Sequence, residues 1–135
     1  MTPEFLAAVI DALLPGDDIL PSATHAGLDP ATYATLHRAA FDAIAGQAHG
    51  AQAFVDADET VRNAVVRAIE RSAPDAFRAL LTALLSDYCE APAVLAALSW
   101  RSEPPQPAGH AVPAMDAPAI ERLNKVRRRA KLWRG

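Results

Sequence analysis

Apolar positions along the chain recur mostly at intervals of three and four, which is the period of an α-helix face. Leu6, Val9, Ile10 and Leu13 form the first such stripe. Thr2 ahead of it carries an N-cap hydroxyl, Pro3 suits the first helical position, and Glu4 suits the positive end of the helix dipole. The turn residues "PGDD", from Pro15 to Asp18, end that helix, and Pro21 keeps the chain extended into "SATHAGL", which reads as a short helical turn. Asp29 and Pro30 open a second helix over 30–47, with Tyr33, Leu36, Ala40, Phe41 and Ile44 inward. Gly46 and Gly50 punctuate a loop that ends near Asp56. A third helix is predicted over 57–72 with Val61, Val65, Ala68 and Ile69 inward. Pro74 and Asp75 open a fourth, whose stripe of Phe77, Leu80, Leu81, Leu84, Leu85 and Tyr88 is the strongest and is expected to form the centre of the core. Ala91-Pro92 breaks it, and "PAVLAALSW" reads as a short continuation.

Beyond Trp100 the pattern changes. The stretch from Ser99 to Asp116 holds four of the eleven prolines and reads as an extended strap, after which Asp116 caps a last helix over 117–131. No segment alternates with the period of a strand, and no internal repeat occurs. The expectation is therefore an all-α protein: a bundle of about five helices over 1–98, a proline-rich strap over 99–116, and a basic amphipathic helix and tail over 117–135, in one domain overall.

Composition adds little except through charge. The chain of 135 residues is half apolar and a fifth charged, the usage of an ordinary globular domain. The net charge of −3 hides an asymmetry: residues 1–115 hold six Lys/Arg against fourteen Asp/Glu, and residues 116–135 hold seven against two. Those counts give −8 and +5, an acidic body with a basic end. The lone Cys89 excludes an internal disulfide. No apolar run approaches the roughly 20 residues that cross a bilayer. The apolar N-terminal patch lacks a basic lead-in and a twin-arginine motif, so cytoplasmic localisation is expected unless a partner carries the chain into the periplasm.

Candidate chemistry is sparse. His25, His37, His49 and His110 are scattered, and none stands four residues from another or in a metal-binding cluster. His25 lies near Asp17 and Asp18, which leaves an acid–base or metal role open beside the simpler reading of two turn-capping acids and a loop histidine. Cys89 ends a helix beside Tyr88 and Glu90; acidic neighbours and a helix C-terminus disfavour a thiolate, so a structural cysteine is expected. No phosphate loop, dinucleotide fingerprint or nucleophile elbow is present, so neither a catalytic centre nor a bound cofactor or metal is expected.

What remains points to binding. The strap prolines Pro104, Pro105 and Pro107 fix backbone angles and remove donors, so the segment orders cheaply in an extended form, with Trp100 as an anchor. Either it ties the last helix to the bundle, or it presents a preformed edge to another subunit. The basic end sets Arg127, Arg128 and neighbouring cations against an apolar edge that ends in Trp133. A protein partner or self-docking ranks first for it, an anionic membrane surface second, and nucleic acid third, because the acidic body opposes phosphates.

Two stretches also carry a family resemblance. "AVIDALLPGDDILPSATHAGL" resembles the N-terminal signature of the gluconate 2-dehydrogenase subunit 3 family, and "YCEAPAVLAALSWRSEPPQPAGH" is similar to that family's C-terminal pattern. The resemblance implies a non-catalytic small subunit that binds a large flavin-dependent dehydrogenase of the glucose-methanol-choline type, often joined by a cytochrome c subunit, and aids its maturation and export. It casts the strap and Trp100 as docking surface and makes any membrane association peripheral or through partners. Two features depart from the family: the twin-arginine leader is lacking, and Ser99 stands where the family has glycine before the tryptophan. The alternative from the residues alone is a free-standing regulatory or membrane-surface protein that acts through its basic helix.

Overall fold

The first helix, α1 (Pro3–Leu13), begins where Thr2 accepts a hydrogen bond from the Phe5 amide, and it buries Phe5, Val9 and Ile10 completely. Phe5 is the hub: its ring meets Phe41 edge-to-face at 6.4 Å and Phe54 at 5.8 Å. The computed structural model describes residues 1–100, 109 and 114–128; among these there are eight helices and no strand, so the fold is all-α. The helices after α1 are α2 (Pro30–Leu36), α3 (Arg38–Gln47), α4 (Ala51–Asp56), α5 (Glu59–Ser72), α6 (Pro74–Glu90), α7 (Pro92–Ala97) and α8 (Ala117–Arg127). The chain divides into two compact units, Met1–Ser102 with α1 to α7, and Glu103–Gly135 with α8. No described helix is long and apolar enough to cross a membrane.

In the first unit α1 packs on α2, α3, α4 and α5, while α6 packs on α2, α3, α5 and α7. The core centre is therefore shared: Leu80 and Leu84 of α6 are fully buried, but so are Phe5, Val9 and Ile10 of α1. A fully buried side chain of this size stabilises the fold by roughly 1.5–3 kcal/mol relative to exposure. Leu6 and Leu13, expected inward on α1, are only partly buried, because the helix is centred one position earlier, on Phe5.

Three departures from the predicted pattern have identifiable causes. The expected helix over 30–47 breaks at His37 (φ −121°, ψ 37°), and the turn throws Leu36 out to 70% exposure while Tyr33, Phe41 and Ile44 stay buried. The expected loop before Asp56 contains α4, a helix of six residues that exists to bury Phe54. Arg62 of α5 satisfies the end of α4, donating from Nε to the Phe54 carbonyl at 3.0 Å and from its terminal nitrogen to the Val55 carbonyl, and it lies over the Phe54 ring. Turning Arg62 inward leaves Val61 exposed, and Leu85 of α6 is likewise on the outer side. α5 then starts at Glu59, capped by Asp58, rather than at 57.

Loops are fixed by local hydrogen bonds. Gly16 has φ +73°, and a methyl group built on it would lie 2.5 Å from the Ser22 amide nitrogen and 2.7 Å from the Leu20 carbonyl oxygen, so only glycine fits. Asp17 accepts from the Ile19 and Leu20 amides at 2.7 Å each, and Asp11 accepts from both the amide and the hydroxyl of Thr24. "SATHAGL" forms one helical turn that ends at Gly27 (φ +93°) with a bond from the Leu28 amide to the Ala23 carbonyl.

Candidate interaction surface

The last turn of the bundle unit is built to hold Trp100 outward. Pro92 lacks an amide hydrogen, so α6 stops at Glu90, and Ala91, in extended conformation, turns the chain into α7. α7 buries Val94 against the core. It then closes with a left-handed cap: Ser99 has φ +52°, its amide bonds the Ala96 carbonyl at 3.0 Å, and the Trp100 amide bonds the Leu95 carbonyl at 2.8 Å. That pair of bonds is a Schellman motif, in which glycine normally occupies the left-handed position. Serine there keeps the glycine-type backbone at a steric cost of about 1–2 kcal/mol. The result is an apolar tip on which Leu98 is 56% and Trp100 69% exposed. A tryptophan carries 150–250 Å² of surface, so covering the exposed part would contribute roughly 3 kcal/mol before ordering costs.

The two sequence stretches that carry the resemblance meet in space. The Tyr88 hydroxyl donates to the Pro21 carbonyl at 2.5 Å, joining the "LPS" loop to the end of α6. Beside it a cleft of about 420 Å³ is lined by Gly27, Leu28, Asp29, Tyr33, Asp87 and Pro92 among others. The Tyr33 hydroxyl donates to Asp87 there. Burial first, and then the Asp87 carboxylate, push the Tyr33 hydroxyl well above the usual phenol range, so it stays a neutral donor. Burial, with the Asp17 carboxylate, also raises Tyr88. These bonds fasten the base from which α7 and its tip project.

The other candidates are set apart. His25 is exposed, with Nδ1 2.9 Å from the Ser22 hydroxyl, and its recorded hydrogen bond goes neither to Asp17 nor to Asp18. Asp17 is occupied by its own turn; those amide bonds, Leu20 before Ile19, hold its carboxyl below the usual range. No group of three or more potential metal ligands occurs among the described residues. Cys89 is exposed rather than a buried structural thiol, because α6 turns its Tyr88 flank to the core.

In the second unit, Asp116 caps α8 through the Ala119 amide at 2.8 Å, as expected. The helix runs to Arg127, with Arg128 at its C-cap, and both arginines are exposed. Pro104, Pro105, Pro107 and Trp133 lie outside the described residues. Leu98 is the member of the tip that the sequence did not single out: in the uniformly apolar "PAVLAALSW" only the left-handed turn at Ser99 decides which side chains face out. Comparison with protein-family models, curated proteins and solved structures returns no match, so the functional reading rests on the geometry and the sequence.

Proposed function

We propose that this protein is a non-catalytic accessory subunit that binds another polypeptide through the tip formed by Leu98 and Trp100, with Pro104, Pro105 and Pro107 as further partner-binding residues on the sequence reading. The observation that carries the reading is the exposed indole on a capped, fastened turn: a large aromatic held in water by specific hydrogen bonds is the anchor type that dominates protein interfaces. The partner, on the resemblance, is a large flavin-dependent dehydrogenase of the glucose-methanol-choline type, with a cytochrome c subunit as a further member of the complex. The glycine-type backbone at Ser99 and the meeting of the two resembling stretches at Tyr88 and Pro21 support that assignment.

The test is co-purification. The tagged chain, expressed with a neighbouring flavoprotein reading frame, should bring down a yellow protein with bound flavin. Trp100→Ala should weaken that complex at least about thirtyfold while leaving the thermal midpoint of the isolated subunit unchanged, because the side chain is already in water. Isolation of the wild-type chain as a monomer that never retains the flavoprotein would refute the proposal.

A further inference from the structure

α8 is a basic helix with an exposed apolar edge. Ile120, Leu123 and Val126 follow one another at intervals of three along one side, with Ile120 at 47% and Val126 at 57% exposure and Leu123 half-buried. Arg122 borders that edge and Arg127 stands within it, one turn beyond Leu123, while Lys125 lies round the helix and Arg128 follows at the C-cap; all four are exposed. Among the described residues of this unit the acids are Asp116, which is used as the cap, and Glu121 in the first half of the helix.

We infer that α8 is a peripheral binding element for bilayer surfaces rich in anionic phospholipid. Charge selects a polyanion, and the apolar edge then selects among polyanions. A nucleic acid supplies phosphates but no hydrocarbon for Ile120 and Val126, and the described part of α8 offers no aromatic ring on which a base could stack. A protein groove that takes a helix reads anchors at i, i+3 or i+4, and i+7. Counting from Ile120, Leu123 fits but position 127 is Arg, which sets a cation within the apolar stripe; an apolar protein groove would bury that charge, whereas at a bilayer surface its stem reaches up to the phosphates. A shallow aliphatic edge flanked by long cations matches an interfacial helix: the edge dips below the headgroups while the arginine and lysine stems reach up to the phosphates. The acidic bundle makes the attachment weak and local to this helix. This inference does not depend on the flavoprotein partner, since the anchor residues Leu98 and Trp100 belong to the first unit and α8 to the second.

Vesicle co-sedimentation of the full chain tests it. The chain should sediment with vesicles of phosphatidylcholine mixed with phosphatidylglycerol, and not with phosphatidylcholine alone. Raising salt from about 0.1 M to about 1 M shortens the Debye length from about 10 Å to about 3 Å and should release most of it. Reversing charge in R122E/K125E/R127E/R128E should weaken binding at least about a hundredfold, and I120S/V126S should weaken it about tenfold or more. The charge-conserving R122K/R127K/R128K should bind like the wild type, which separates loss of charge from loss of fold. Three results would overturn the inference: no sedimentation with phosphatidylglycerol vesicles, equal binding to both vesicle types, or binding indifferent to I120S/V126S. The last would mark a charge-only site for an acidic protein or nucleic acid.

Discussion

Two residues in left-handed conformation make opposite predictions. Gly16 sits against the backbone of Leu20 to Ser22 with no space for a methyl group, so Gly16→Ala should destabilise the bundle by about 2 kcal/mol or more, read as a lower denaturation midpoint. Ser99 already carries the penalty that glycine would avoid. Ser99→Gly should therefore raise stability by about 0.5 kcal/mol, the relief at φ +52° exceeding the extra freedom gained by the unfolded chain. An unchanged or lower midpoint for Ser99→Gly would mean that the cap at α7 is not the conformation in solution. Capping chemistry was the most legible layer of the sequence. Thr2, Asp29 and Asp116 each cap the helix predicted for them, because a side-chain oxygen and an amide three positions on need no tertiary context.

Elements were legible in proportion to their length and to the chemistry at their ends. α1 and α6 have stripes long enough for the 3.6-residue period to stand out, and α6 opens with proline as read. α4 has six residues and one buried apolar side chain, Phe54, too few for any period to register. The break at His37 involves neither glycine nor proline, and the 33, 36, 40, 44 spacing runs straight through it; tertiary packing of α2 and α3 on α1 decides the bend. A short helix that cannot stand alone depends on what covers its ends. Replacing Arg62 by Met, which keeps bulk over Phe54 but removes both donors to α4, should cost about 1–3 kcal/mol. Amide exchange should speed up in α4 first, ahead of α5, if the arginine acts as its cap.

At the scale of the molecule, the titrating groups define a pH window. The carboxyls of Asp17 and Asp29 are held below their ordinary value, Asp17 by the Leu20 amide and Asp29 by the Thr32 hydroxyl first. A depressed folded value means that their contribution is present above about pH 4 and is lost as pH falls through the folded value. Tyr33 and Tyr88 are shifted upward, mainly by burial, so the folded state resists losing their protons. Their contribution is complete below about pH 10 and disappears as pH rises beyond it. Denaturation midpoints should thus be flat between those limits and fall on both sides. Asp17→Asn should flatten the acid limb and Tyr33→Phe the alkaline one, and a midpoint that rises above pH 10 would contradict the burial of both phenols. Of the candidate surface, Trp100 stood out in the sequence as a rare indole ahead of a proline-rich stretch. The cleft beside Tyr33 did not, because it joins residues that are more than fifty positions apart.

The bond from Tyr88 to the Pro21 carbonyl spans 67 positions and has a consequence during synthesis. A nascent chain that has delivered α1 to α5 while α6 is still inside the ribosome has no donor for that carbonyl and no Leu80 or Leu84 to close over Phe5's neighbours. The early helices must wait, half-covered, until the sixth emerges, and a chaperone that shields them in that interval would act at the step where this small protein is most open to aggregation.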